Sequence, residues 1–115
     1  MGTDHWSWPD ELDALTAAPA NHQLLLENDR VRVLLTTVPI GGATPLHTHR
    51  WPSTEYLITA PDFVRRDADG HVVLDTRASA SKPRASDVLW SDALPPHSLE
   101  NVGEAELRVL MVEIK

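Results

Sequence analysis

The chain has 115 residues, enough for one hydrophobic core and too few for two ordinary domains. Apolar residues make up 42%, which fits a globular protein, and the absence of cysteine removes disulfide scaffolds, thiolate metal sites and cysteine nucleophiles together. The formal net charge of −7, with no basic stripe to offset it, argues against nucleic acid as a partner, and no apolar run is long enough for a membrane span. Met1 to Asp10 lacks the apolar segment of a secretory signal. With the lack of cysteine, this makes a cytoplasmic location the expectation.

Taken in order, Met1 to Pro9 is polar and aromatic, with His5, Trp6 and Trp8, and reads as an arm. Asp10 is placed to cap a short helix over 11–18, which Pro19 ends. From His22 the pattern changes to short extended runs. Strands are predicted over 23–26, 30–38, 44–49, 55–59, 63–66, 71–75, 87–90, 97–100 and 106–114. Asn28-Asp29, Gly41-Gly42 and Asp67-Ala68-Asp69-Gly70 supply turns between them. In the second strand Val31 and Val33 share one side and Arg30 and Arg32 the other. The last run becomes continuously apolar, as a strand buried on both faces would. The segment 76–85, small and polar with Pro83, reads as a loop or edge strand. Many short strands and at most one helix predict an all-β sandwich or barrel. Residues 1–21 form an N-terminal arm with a short helix, and 22–115 form the barrel.

The chemistry concentrates in a few side chains. His47 and His49 are two apart on a predicted strand, so both imidazoles project from one face. Glu55 opens the next strand, and an antiparallel neighbour can bring it alongside them. His97 would arrive from a further strand. Three imidazoles and one carboxylate suit a divalent transition ion, Fe, Mn, Ni, Co, Cu or Zn, with room for water or substrate. A buried histidine satisfied by a hydrogen bond is the plainer reading of each ring. Glu55 is also a candidate catalytic base if burial raises its pKa. His5, His22 and His71 read as ordinary surface or packing residues, Trp51 and Trp90 as core or rim aromatics, and Tyr56 as facing away from Glu55. Arg50 reads as a solvated charge, with binding of a substrate carboxylate at the barrel mouth as its alternative. Arg65-Arg66 reads as part of a solvated hairpin.

The pattern Gly41-x5-His47-x-His49-x5-Glu55 resembles the first cupin motif, and His97-x3-Asn101 resembles the end of the second. The resemblance covers about 28–114 and extends to small bacterial cupins of undefined activity. It implies a cupin-type jelly-roll β-barrel in which His47, His49, Glu55 and His97 match the family's metal ligands. Five residues separate His49 from Glu55, where the family has three or four. Either a bulge near Trp51-Pro52 absorbs the difference, or Glu55 misses the metal and water completes a three-histidine site. Asp62 stands where the family has a glycine after the glutamate, and Ser86 stands where the second motif opens on one.

The resemblance implies a metal-dependent enzyme acting on a small organic substrate inside the barrel. Dioxygenase (oxidoreductase) chemistry leads, with isomerase and decarboxylase chemistry behind it. The alternatives are a non-catalytic binding or sensing module and a metal-free structural barrel, because one architecture hosts many activities. A homodimer through an edge strand or an exchanged arm is the expected assembly.

Overall fold

A computed structural model describes residues 6–115, so His5 and the first residues of the predicted arm lie outside the described part. The predicted helix is shorter and starts later than expected. A 3₁₀ turn (Asp10–Leu12) leads into α1 (Ala14–Ala17), and the cap is Asp13, whose carboxylate accepts from the Leu15 N–H at 3.1 Å. Asp10 therefore does not cap the helix. Asp13 takes that role, and its backbone bridge to Thr48 ties the arm to the barrel.

Nine strands follow: β1 (His22–Glu27), β2 (Val31–Val38), β3 (His47–His49), β4 (Ser53–Leu57), β5 (Phe63–Asp67), β6 (Val72–Asp75), β7 (Val88–Ser91), β8 (Leu94–Asn101) and β9 (Leu107–Ile114). They form two antiparallel sheets, one in the order β1-β2-β9-β4-β7 and the other in the order β3-β8-β5-β6. The chain changes sheets between β3 and β4, in the Arg50-Trp51-Pro52 loop, where proline denies the ladder a donor. Between β6 and β7 a 3₁₀ turn (Thr76–Ala78) opens the expected loop.

Side-chain alternation on β2 and β9 fixes what the barrel encloses. Arg32, Leu34, Thr36 and Val38 point inward from β2, opposite Glu113, Met111, Val109 and Leu107 of β9. The inner face is apolar at the Val38–Leu107 end and charged at the Arg32–Glu113 end. Leu34, Val38, Leu57, Leu107, Val109 and Met111 form the core, joined by Ala14 from α1. Full burial of each large side chain contributes about 1.5–3 kcal/mol. The outer face of the larger sheet is also apolar: Leu26, Val33, Val112, Thr54 and Trp90 are successive cross-strand partners. The last strand thus carries apolar residues on both faces, as expected, but no element of the described chain covers its outer one.

Left-handed backbone occurs at turns, including the Gly70 hairpin, where φ is +86°. Gly41 has φ +73°, and Ser86 has φ +74°, a left-handed conformation at the position where the cupin pattern places glycine. Asp62 keeps a negative φ and instead accepts a hydrogen bond from Thr76 Oγ1 at 2.8 Å. Asn101, fully buried, donates through its side-chain amide to Val38 O and Ala105 O and accepts from Gly103 N, holding the turn into β9.

Candidate metal centre

Four histidine rings meet at the inner surface of the barrel. His47 on β3 is the direct cross-strand partner of His97 on β8, and their ring centroids are 4.4 Å apart. His49 follows two residues later on the same strand, 5.1 Å from His47 and 5.6 Å from His97. The fourth ring is His22, at the start of β1 in the other sheet, 4.8 Å from His47 and 5.2 Å from His49. Ligand atoms of His22, His47 and His49 lie within 4.8 Å of one another. His22 is 4% exposed, which corrects its reading as a surface residue and places it, packed, among the rings of this cluster. No spacing motif marked it. Its position depends on β1 pairing with β2, which sets it opposite Thr36 on the inner face.

Each ring is oriented through Nδ1. His22 Nδ1 donates to Ala18 O at 3.0 Å, His47 Nδ1 to Pro45 O at 2.8 Å, and His97 Nδ1 to Pro95 O at 2.8 Å. Three backbone carbonyls can only accept, so these rings carry hydrogen on Nδ1 and present a bare Nε2. His49 Nδ1 instead meets the carboxylate of Glu113 at 2.9 Å. No Nε2 of the four has a hydrogen-bond partner among the described residues, and that of His22 is fully buried. Bare Nε2 atoms with Nδ1 held by carbonyl or carboxylate, on three rings whose ligand atoms cluster and on His97 whose ring lies 4.4 Å from that of His47, make a donor set that suits a divalent transition ion. The residues therefore fit a metal.

Electrostatics keep the rings neutral. Burial, reinforced by the neighbouring imidazoles, lowers His22 and His49 to about 3 and His97 to about 2, and burial lowers His47 as well. Glu113 is fully buried; burial raises its carboxyl, and the hydrogen bond from Arg32 Nε opposes the rise. Arg32 also donates twice to Asp13, both at 2.9 Å, and lies under the Trp51 ring at 5.0 Å. Asp13, Arg32, Glu113 and His49 thus form one continuous chain of charge-assisted hydrogen bonds from the arm to the centre.

A cavity of about 250 Å³ opens in front of the four rings, walled by apolar side chains such as Leu57, Leu89, Leu99 and Met111. Glu55 faces it from β4, flanked by Met111 and Leu89, and accepts from Ser53 Oγ at 3.2 Å. Burial raises the Glu55 carboxyl, against the pull of the Arg65 charge and the Ser53 hydrogen bond. Glu55 thus shares the cavity with the histidines; the ligand atoms that lie within 4.8 Å of one another are those of His22, His47 and His49, and that group includes neither Glu55 nor His97.

Other residues sort themselves by face. Tyr56 points outward as expected, and Trp90 lies at the cavity rim. Arg66 pairs with Glu100 at 2.9 Å, whereas Arg65 turns inward and lines the cavity, which corrects its reading as part of a solvated hairpin. Asp67, Asp69 and His71 also lie close together, but Asp69 and His71 are exposed and Asp67 holds its own turn.

No family model matches the chain, and no curated protein does. Solved structures do. A cupin domain from Bordetella pertussis Tohama I aligns at 20% identity over 82% of this chain and 91% of that one, with a TM-score of 0.67. A RmlC-like cupin family protein with a double-stranded β-helix fold from Methanocaldococcus jannaschii aligns at 12% identity over 81% and 77%, with a TM-score of 0.58. A predicted oxalate decarboxylase from Thermotoga maritima aligns at 26% identity over 81% and 77%, with a TM-score of 0.51. With two antiparallel sheets closing on a cluster of inward histidines, and these structures as its likeness, the described chain is a small protein of the cupin fold.

Proposed function

We propose that this cupin is a metal-dependent enzyme that acts on a small organic substrate inside the barrel, with dioxygenation as the leading reaction class. The observation that supports it is the set of four neutral imidazoles, each held by Nδ1 and offering Nε2 at the cavity. His22, His47, His49 and His97 are the proposed ligands. A divalent first-row ion supplies Lewis acidity and electron exchange with substrate and oxygen. Both atoms of dioxygen then enter the product, so the substrate itself is the reductant. The apolar walls exclude water and fit a ligand of few atoms. Glu55, half-buried and facing the cavity, takes the proton that an acidic carbon or enol gives up.

The test begins with metal analysis of protein purified without a nickel column. Stoichiometric first-row metal in the wild type and its loss in the His47→Ala/His97→Ala double variant are expected; retention by the double variant removes this ligand set. Oxygen uptake across enediols, 1,3-diketones and catechols then reads the reaction. Metal without turnover of any of them would favour a binding module.

A homodimer belongs to the same proposal. The uncovered apolar row through Val33, Val112 and Trp90 is the surface we assign to it. A dimeric mass by light scattering is expected, and a monomeric mass overturns it.

A further inference from the structure

Two arginines are turned toward the interior of this barrel, and their surroundings differ. Arg32 is satisfied on every side, by Asp13 and by Glu113. Arg65 is not. Its Nε is buried without a hydrogen-bond partner, and its guanidinium makes no ion pair with any described residue. Its guanidinium lies 5.8 Å from the Phe63 ring on the same strand and attracts the Glu55 carboxylate without a hydrogen bond between them. A buried guanidinium N–H without an acceptor is costly. The register of β5 turns Arg65 to the cavity side with Phe63, whereas Arg66 next to it pairs with Glu100 at 2.9 Å in partly exposed surroundings.

Arg65 sits where its charge can be used. It lines the cavity that the four histidines line, on β5, directly opposite Leu99 of β8, the strand that carries His97. Glu55 faces the same space and its charge attracts Arg65, but its side-chain hydrogen bond is with Ser53 and none joins it to the guanidinium. The guanidinium therefore brings planar donors, one of them without an acceptor, to the lining of a largely apolar cavity, and such a group can bind a carboxylate in bidentate fashion. We propose that Arg65 is the anchor for a carboxylate group of the ligand, so that the cavity takes small organic acids with the remainder of the molecule directed at the histidine cluster. This deepens the functional reading above and rests on it in taking that cavity as the substrate site.

The test uses binding, in protein as purified and after chelation of metal. The probes are acetate, benzoate and malonate, each paired with its neutral amide and measured by calorimetry. At least one acid is expected to bind the wild type ten-fold or more tightly than its amide. Arg65→Gln should lose that ten-fold preference while amide binding stays within two-fold, and Arg65→Lys should recover part of it, since charge returns without the planar fork. Metal content should be unchanged in both variants. Equal acid binding by wild type and Arg65→Gln overturns the proposal, as does the absence of any acid preference in the wild type. If Arg65→Gln does not melt cooperatively, Arg65→Lys decides: full wild-type affinity for the acid would speak against the bidentate anchor. If the wild type holds no metal yet shows the acid preference in chelated protein, the metal reading fails and the anchor stands. If metal is present and no acid is preferred, the anchor alone fails.

Discussion

Glu113 and His49 are joined by a hydrogen bond of 2.9 Å across a sequence separation of 64 residues, and the same carboxylate holds Arg32 through its other oxygen. One buried acid thus orients a proposed ligand and neutralises a buried cation. Glu113→Ala would release both. A buried arginine that loses one of its partners costs about 3–5 kcal/mol, and loss of a ligand's outer partner lowers metal affinity about 10–100-fold. We expect a large fall in melting temperature and a weaker metal complex in competition with a chelator. A variant as stable as the wild type would show that Asp13 alone satisfies Arg32.

His22 should behave as a ligand. His22→Ala is expected to lower metal affinity about ten-fold or more, while Glu55→Gln should leave affinity nearly unchanged and lower turnover. The measurement is metal retention against a graded chelator. Loss of metal in the glutamate variant with retention in the histidine variant would restore the ligand set that the motif spacing implies.

Metal-free protein should be sensitive to acid. An unfolded histidine titrates near 6.5, whereas His22 and His49 are held near 3 and His97 near 2. Between those values the unfolded chain binds more protons, so lowering the pH favours unfolding. Stability is complete above about pH 6.5 and falls below it by about 1.4 kcal/mol per pH unit for each such ring. Denaturant melts of chelated protein between pH 7.5 and 5 would check this. His97→Ala should reduce the slope, and a flat profile would contradict the burial of these rings.

Ser86 offers a stabilising change. Its φ of +74° costs an L-residue about 1–2 kcal/mol, part of which glycine returns as extra freedom in the unfolded chain. Ser86→Gly should raise stability by about 0.5–1 kcal/mol without altering metal content. Its backbone bond to Leu57 O, 2.7 Å, is available to either residue. A neutral or destabilising result would assign weight to the long surface contact with Tyr56, 3.5 Å.

The strands were readable because turn residues and alternation are local signals. The pairing of His47 with His49 on one face was readable for the same reason. Which face of β2 turns inward was not. Val31 and Val33 suggest an apolar inner face, yet the inner set is Arg32, Leu34, Thr36 and Val38. That choice depends on Asp13, 19 residues before Arg32, and on Glu113, 81 residues after it, and no local pattern carries either. His22 was hidden in the same way, since its orienting carbonyl belongs to the arm and its neighbours belong to the opposite sheet. Arg65 and Arg66 look alike in sequence. Only the register of β5 against β8 separates the inward one from the one that meets Glu100.

The short arm before β1 has a consequence for how this protein can be cut, fused or trimmed. Ala18 supplies the carbonyl that orients His22, and Asp13 completes the charge on Arg32 that positions Glu113 behind His49. A fragment beginning at the first strand would keep every strand of both sheets and every proposed ligand. It would lose the two outside supports of the centre, so its rings would be present but unaimed. The smallest working unit is therefore larger than the barrel and begins before Asp13.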